Sequence, residues 1–193
     1  MFRVPRDVKD ETQLSTFLEA AKNYLADEYF TRKFSSVDFR PDDASAGPSF
    51  IYPTNNRAGV WAYDAALEER AMRTFPRPDL WINGDFRVRM WYSGGTAAAG
   101  TNIVWQVKVV GHSETGNLSA GTLLVTQTIT APGPVVAEDL DVTEFYVLTA
   151  PITAAYELLN VEVARRGIDG SDNYAGEGYF VALTLQYYPR DRQ

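Results

Sequence analysis

Two neighbouring stretches of the chain alternate between apolar and polar positions. The first, Asp85 to Tyr92, places Arg87 and Arg89 opposite its apolar residues, and the second runs from Ile103 to Val110. Because successive side chains of a strand point to opposite faces, each stretch is predicted to be a strand with one buried face. The apolar faces are Phe86, Val88, Met90 and Tyr92 in the first strand, and Ile103, Trp105, Val107 and Val109 in the second.

A glycine-rich link, residues 93–102, joins these two strands and predicts a turn. We therefore expect two neighbouring strands of one antiparallel sheet. Trp105 is the largest side chain on their apolar faces, so we predict that it anchors the core beneath the sheet.

An amphipathic helix is predicted near the N-terminus, from a cap at Asp10 or Thr12 to about Asp27, after an extended arm of residues 1–9. Its apolar residues follow the spacing of one helix face. That stripe must be buried on something, either its own domain or a neighbouring protein. The stripe consists of Leu14, Phe17, Leu18, Ala21 and Leu25.

Further strands are predicted along the remaining chain, whereas residues 64–74 are predicted to form a short helix or helical loop. The last strand, Tyr179 to Tyr188, is apolar on both faces, which indicates a central strand or one covered on both faces. A subunit interface is one way to cover it. The other strands are expected at residues 50–52, 58–63, 122–129, 142–149 and 156–165.

About eight strands at regular spacing, with no alternating helices, predict an all-β protein. We expect an antiparallel sandwich of two four-stranded sheets, a jelly roll, with a helical N-terminal arm. An immunoglobulin-like sandwich is the second choice. The predicted domains are an arm at residues 1–33 and a β-sandwich at residues 34–193.

Composition narrows the range of functions. The chain has 193 residues, a formal net charge of −7 and no cysteine, so it contains no disulfide or thiolate metal site. The acidity disfavours nucleic acid as a partner. No apolar run approaches the roughly 20 residues that cross a bilayer, and the N-terminus lacks an apolar signal core, so neither a membrane partner nor ordinary secretion is expected.

Catalytic and metal-binding patterns are weak. A Ser-His-Asp arrangement would need His112, the single histidine, which we interpret as an exposed turn residue. The loop Asp169 to Glu177 carries oxygen ligands suited to calcium, but their spacing better fits an Asx-rich turn.

No pair of carboxylates stands out as a glycosidase site. Arg87 and Arg89 either serve a neighbour's carboxylates or face solvent. We therefore expect no enzyme activity, cofactor or metal.

Residues 75–188 resemble a jelly-roll domain of structural proteins of tailed bacteriophages. The resemblance rests on Phe75-Pro, Asp79-Leu-Trp81, the Phe-Arg-Val-Arg-Met-Trp strand and Gly100 through Val104-Trp-Gln-Val107. It also includes Val163 to Arg165, Asp172-Asn-Tyr-Ala-Gly-Glu-Gly and Val181 to Tyr187, interpreted as a closing hairpin. The loop ends in Gly176-Glu177 where the family pattern often has Gly-Asp.

The resemblance implies a non-enzymatic virion component, usually oligomeric and often a homotrimer. Within that class we expect a capsid decoration, cement or knob-like protein, and a tail-fibre or receptor-binding adaptor is the alternative. Hypotheses of other classes are a carbohydrate-binding module and, less favoured, a glycan hydrolase. Expected partners are copies of the chain, other virion proteins and a host-surface glycan. The candidate partner-binding residues are Leu14, Phe17, Leu18, Leu25, Tyr179 and Tyr187.

Overall fold

The computed structural model describes residues 31–41, 47–53, 58–79, 81, 84–114, 121–147 and 152–189, with the backbone alone at 84–86, 145–147 and 188–189. These residues form eleven strands and one 3-10 turn, Ser36–Asp38. The strands are β1 (Thr31–Ser35), β2 (Arg40–Pro41), β3 (Ser49–Ile51), β4 (Val60–Tyr63), β5 (Glu68–Pro76), β6 (Gly84–Gly94), β7 (Asn102–His112), β8 (Thr122–Pro132), β9 (Asp141–Val147), β10 (Leu158–Arg166) and β11 (Gly178–Pro189).

The strands form two antiparallel sheets that pack face to face. The larger sheet has the order β3-β4-β11-β6-β9, with β1 also paired to β11, and the smaller has the order β2-β5-β10-β7-β8. This is an all-β two-sheet sandwich consistent with a jelly roll, as predicted, although with six and five strands rather than four and four. The predicted helix at residues 10–27 lies outside the described residues.

The two strands predicted from the strongest alternation are present as β6 and β7, but they lie in different sheets. β6 pairs with β11 and β9, and β7 pairs with β10 and β8. The predicted pairing between them is therefore wrong, and the link at residues 95–101 crosses from one sheet to the other. The predicted closing hairpin of β10 and β11 is wrong for the same reason. Alternation identifies the buried face of a strand but not the strand beside it.

The predicted helix at residues 64–74 is also wrong, because most of this stretch is β5. Glu, Arg, Ala and Met favour helices in isolation, but tertiary pairing overrides that preference. Charged side chains of β5 form ion pairs with residues of β10; for example, Arg166 Nε lies 2.8 Å from Glu68 Oε2. On the opposite face of the strand, Ala71 and Phe75 are buried in the core.

The apolar character of both faces of β11 has a structural reason. The strand is central, as predicted, and a register shift between Phe180 and Ala182 changes the side that its residues face. Phe180 and Leu183, three positions apart, therefore both lie in the main core. Tyr179 instead packs with Val60 and Ala62 in a second, smaller apolar cluster.

Aromatic side chains fill the main core between the sheets. Trp105 is fully buried, and its ring meets Tyr63 edge-on with centroids 5.4 Å apart. At another part of the core Trp81 stacks on Tyr187 with centroids 5.5 Å apart. These contacts place Trp105 in the position predicted for a core anchor. Within the described part of the chain, no helix is long and apolar enough to span a membrane.

Candidate functional site

A concavity lies on the outer face of the larger sheet, and we call it the sheet groove. It has a volume of about 580 Å³, which is within the usual range of ligand pockets. Strands β1, β11 and β6 contribute its lining. The lining residues are Thr31, Lys33, Arg87, Arg89, Trp91, Thr184 and Gln186.

Strand register explains how residues distant in sequence come together in the groove. Lys33 of β1 lies opposite Thr184 of β11, which lies opposite Arg89 of β6. The parallel row contains Thr31, Gln186 and Arg87 in the same order. Since side chains of paired residues project to the same face, these two rows build one polar surface. The residues between them on β6 and β11, such as Val88 and Leu185, point into the core.

A carboxylate beside the groove orders its two arginines. Glu144 of β9 accepts a hydrogen bond from Arg89 Nε at 2.7 Å, and a guanidinium nitrogen of Arg87 also contacts it. The hydrogen bond from Arg87 and, as the second contribution, the hydrogen bond from Arg89 lower the pKa of the Glu144 carboxyl below its ordinary value. Glu144 therefore stays anionic at neutral pH, and each guanidinium is held at the sheet surface.

Trp91 supplies an aromatic surface at one end of the groove. It follows Arg89 by two positions on β6, so it projects to the same outer face, and it is half-buried. Val142, its register partner on β9, is 52% exposed and extends the apolar surface beyond it. An amphipathic ring beside hydrogen-bonding side chains suits ligands that have both apolar faces and polar edges.

The described lining of the groove combines hydrogen-bonding groups with cations, and Glu144 lies beside it. Among the described residues, Glu144 provides the carboxylate beside the groove. The lowered pKa of Glu144 makes this carboxyl a poor proton donor. Hydrolysis of a glycosidic bond by the usual mechanism needs two carboxyl groups on opposite sides of that bond. The polar residues lining the groove are instead hydrogen-bonding groups and cations: Thr31, Lys33, Arg87, Arg89, Thr184 and Gln186.

The loop between β10 and β11, the predicted calcium candidate, is held by a buried ion pair. Arg165 and Asp172 have side chains 0% and 1% exposed, and Arg165 Nη2 lies 2.8 Å from Asp172 Oδ1. Arg165 Nε donates to Asp172 Oδ2 at 3.0 Å, so the pair is bidentate. Arg165 Nη1 also donates to the carbonyl oxygen of Gly176 at 2.6 Å. We call this arrangement the arginine clamp.

Other polar side chains of this loop are also engaged. Asp172 Oδ2 accepts from the Val104 amide at 3.0 Å, and Asn173 Oδ1 accepts from the Asn102 amide at 2.6 Å. Asp169 Oδ1 accepts from the Ser171 amide at 2.9 Å, which is the Asx turn that the spacing suggested. The described residues contain no group of three or more His, Asp or Glu side chains arranged for a metal ion.

His112 is not an exposed turn residue, and that prediction is wrong. It ends β7, is 8% exposed, and its backbone oxygen accepts a hydrogen bond from the Glu157 amide at 2.8 Å. β7 extends further than the alternation indicated, because Gly111 and His112 continue the pairing with β10. Among the described residues, His112 is not part of a hydrogen-bonded Ser-His-Asp triad.

The predicted partner-binding residues fall into two groups. Leu14, Phe17, Leu18 and Leu25 lie outside the described residues. Tyr179 and Tyr187 are 8% and 1% exposed and contact other residues of the same chain, so they do not form an open partner surface. The central position of β11 and the packing of Tyr179 against Val60 and Ala62 account for these apolar residues within the chain, and a subunit interface at β11 stays a prediction.

Sequence patterns identified only part of the groove. Arg87 and Arg89 stood out because two arginines share the polar face of a strong strand. Thr184 and Gln186 are the polar residues of a mostly apolar strand, and that signal was available but was obscured by the bulge. Thr31 and Lys33 lie in a stretch that has no regular alternation. Glu144 could be connected to the arginines only through the pairing of β6 with β9.

Comparisons with known proteins agree with the fold. No protein family and no curated protein matches the sequence. A family 35 carbohydrate-binding module from an environmental isolate matches with a TM-score of 0.51 and 7% identity, over 82% of this chain and 96% of that one. A family 35 module from Clostridium thermocellum has a TM-score of 0.46 and 10% identity, over 80% and 96% of the two chains.

An arabinose-bound α-L-arabinofuranosidase matches with a TM-score of 0.50 and 9% identity, over 81% of this chain. This chain spans only 24% of that enzyme's length. The structural neighbours are thus mostly carbohydrate-binding modules, and the likeness extends to the fold alone at these identities. It supports the jelly-roll part of the sequence-based prediction and gives no indication of a virion role.

Proposed function

We propose that this domain binds a saccharide in the sheet groove without catalysing a reaction on it. The observation that carries the proposal is the composition of the groove, in which polar side chains from three strands lie beside a half-buried indole. This agrees with the carbohydrate-binding alternative from the sequence, and it takes the place of the virion role as the favoured function.

The chemistry of the lining matches that of a sugar ring. Saccharide hydroxyls both donate and accept hydrogen bonds, and Thr31, Thr184 and Gln186 carry groups that do the same. The C–H face of a sugar is apolar and fits against an aromatic ring such as Trp91. Trp91 is the aromatic residue in the described lining of the groove, so recognition relies on hydrogen bonds beside this one indole.

Rigid strands hold the lining in place. The groove is built on β1, β11 and β6, which pair along their length, and Glu144 orients both arginines. Binding groups that are already ordered lose little conformational entropy when the ligand arrives. A weakly concave polar site of this kind is suited to moderate affinity for an extended chain rather than tight capture of a small molecule.

The proposal is tested by affinity electrophoresis through gels that contain soluble polysaccharides, followed by calorimetry with the best ligand. We expect Trp91→Ala to weaken binding by about tenfold or more, in line with the loss of an aromatic contact. Tyr52→Ala is the matched control, since Tyr52 is an aromatic residue 70% exposed outside the groove lining. Retardation by no polysaccharide, or equal loss in both variants, would contradict the proposal.

A virion structural component is the second candidate, and the sequence resemblance supports it. Two of the segments that carry the resemblance, Val163 to Arg165 and Asp172 to Gly178, form the arginine clamp. A clamp of this kind stabilises a fold, so its residues are expected wherever this loop occurs. The predicted homotrimer and a place on the particle belong to this candidate. Light scattering of the purified chain and immunogold labelling of particles would test them.

A further inference from the structure

We infer that strand β8 is a self-association edge, to which a second copy of this chain adds its own β8 and so forms a dimer. β8 is the terminal strand of the smaller sheet and pairs with β7 on one side. Among the described residues, no strand pairs with its other side. An edge strand presents a row of backbone amides and carbonyls that a further strand can bind.

Length and composition set β8 apart from the other described edges. β2 and β3 have two and three residues, whereas β8 has eleven. β1 carries Arg32 and Lys33, and β9 carries Asp141. Short strands and charged side chains are the devices that keep sheet edges from pairing with other chains. Residues 115–137 include no Asp, Glu, Lys, Arg or His, so β8 is both long and without that protection.

The part of β8 suited to pairing lies between a bulge and a proline. The register with β7 shifts at Leu124, and Pro132 has no backbone N–H to donate. Between them, residues 125–131 pair with β7 in unbroken register, and Thr128 is the midpoint of this stretch. An antiparallel second copy centred on Thr128 therefore pairs the whole regular stretch with itself.

The outward-facing side chains of this stretch are self-complementary in that register. Because paired residues project to the same face, Thr126 lies opposite Thr130 of the second copy, and Thr128 lies opposite its own equivalent. Thr128 and Thr130 are exposed, and Thr126 is half-buried. Threonine favours strands, and threonine pairs across strands stabilise a sheet. A twofold axis through Thr128 pairs the β8 edges of both copies, so this contact closes as a dimer.

Electrostatics favour β8 as the contact between copies. The chain has a formal net charge of −7, so two copies repel each other at long range. An uncharged edge lets two backbones approach without placing like charges opposite each other. Lys108 of the adjacent strand β7 is paired on the far side, with its Nζ 3.0 Å from Glu162 Oε1 of β10. The described surroundings of the edge therefore add little charge to the contact.

A dimer through β8 leaves the sheet groove of each copy open. The groove is lined by β1, β6 and β11 of the larger sheet, whereas the contact joins the two smaller sheets into one continuous sheet. Two grooves in one dimer bind a polysaccharide more tightly than one groove does when a single polymer reaches both. That consequence rests on the proposed function, whereas the dimer itself rests on β8 alone.

Sedimentation velocity of the full chain tests the dimer. We expect a reversible monomer–dimer equilibrium between about 1 µM and about 1 mM, because edge pairing without a large apolar interface gives weak association. Hydrogen exchange at the two ends of that range locates the contact. The amides of residues 125–131 should exchange more slowly at the high concentration, and those of β3, an edge strand of the larger sheet, should not change.

Charge substitutions at the twofold axis test the register. Thr128→Glu and Thr128→Lys each place two like charges directly opposite each other, so either variant alone should dimerise about tenfold or more weakly. An equimolar mixture of the two should restore the dimer, because opposite charges then face each other. Thr74→Glu is the matched control, since Thr74 is an exposed threonine on β5 of the same sheet. Circular dichroism and thermal midpoints establish that the variants are folded.

Each outcome bears on one part of the inference. A monomer at every concentration would overturn the dimer and leave saccharide binding by the sheet groove untouched. Equal dimerisation of Thr128→Glu and Thr74→Glu would overturn the assignment of the contact to β8. A mixture of the two Thr128 variants that stays monomeric would overturn the pairing about Thr128. Growth into species larger than a dimer would overturn the closed twofold arrangement.

Discussion

At the scale of single residues, the arginine clamp is the interaction that stabilises the loop between β10 and β11. Arg165 is fully buried and its guanidinium bonds to Asp172 and to loop carbonyl oxygens. Its planar fork matches a carboxylate and two carbonyls at once, which a lysine does not achieve. The clamp therefore ties a long, polar loop to the end of the sandwich.

Arg165→Met is expected to lower the free energy of unfolding by about 3–5 kcal/mol, because it leaves the Asp172 carboxylate buried without its partner. Urea denaturation measures this loss. Arg166→Met is the control at the adjacent position. Arg166 is partly exposed and pairs with Glu68, so its loss should cost less than about 1 kcal/mol. Equal effects of the two substitutions would show that the clamp contributes no more than a surface pair.

Buried tyrosines predict a loss of stability at alkaline pH. Burial, with smaller effects from Glu69 and Glu162, raises the pKa of Tyr63 well above 10.0, and burial also raises the pKa of Tyr92. The folded state keeps these protons while the unfolded state releases them from about pH 10. Stability is thus fully present below that pH and is lost as pH rises towards the folded pKa values.

Thermal melts between about pH 8 and pH 11.5 measure this dependence. Tyr63→Phe removes one of the titrating groups and should make the decline shallower. The substitution also removes the hydrogen bond from Tyr63 Oη to the Val163 carbonyl, so a small loss at neutral pH is expected as well. A decline of unchanged steepness would show that Tyr63 ionises readily in the folded protein.

At the scale of strands, the sequence predicted where strands occur and which of their faces are buried. It was less successful in predicting which strands pair with each other. Val88, Met90 and Tyr92 are buried and Arg87 and Arg89 are partly exposed, as the alternation of β6 indicated. Periodicity is a local signal and therefore identified the two faces. Pairing depends on contacts between distant segments, and for that reason the separation of β6 and β7 into two sheets was not predictable.

The sheet groove illustrates the same limit. Its lining combines the start of the described chain, at Thr31 and Lys33, with β11 at the far end. Nothing in the local sequence of β1 indicates that it lies beside β11. The two arginines were noticed, but their functional context required the register of three strands.

Strand β1 also changes the predicted boundary between arm and domain. Residues 31–33 pair with β11, so the boundary at residue 33 would divide a strand. We expect a chain that begins at residue 31 to remain folded, and one that begins at residue 36 to be less stable. Phe34 contacts Phe75 with ring centroids 5.1 Å apart, and losing its burial costs about 1.5–3 kcal/mol.

Circular dichroism and thermal melts of the two truncated chains test this boundary. The shorter chain should also lose saccharide binding, because Thr31 and Lys33 line the sheet groove. Equal melting temperatures would show that β1 is dispensable for the sandwich. Unfolding of the chain that begins at residue 31 would show that the preceding residues belong to the core.

At the scale of the whole molecule, the two faces of the sandwich carry different kinds of charge arrangement. The outer face of the smaller sheet pairs its charges, with Lys108 Nζ 3.0 Å from Glu162 and Arg70 Nη2 2.8 Å from Glu68. Among the described residues, the groove on the larger sheet places Lys33, Arg87 and Arg89 on one outer face, beside Glu144. The two outer faces therefore differ in how their charged residues are arranged.

The central place of β11 in the larger sheet has a consequence for how the chain is made. Translation delivers β1, β4 and β6 long before β11, yet all three pair with it. The smaller sheet has all five of its strands once residue 166 has been synthesised, whereas the larger one still lacks its middle strand. Until β11 has been synthesised, the nascent chain carries unpaired strand edges that invite association with other chains. A premature stop codon between β9 and β11 would therefore divide the larger sheet into the pair β3-β4, the pair β6-β9 and the single strand β1.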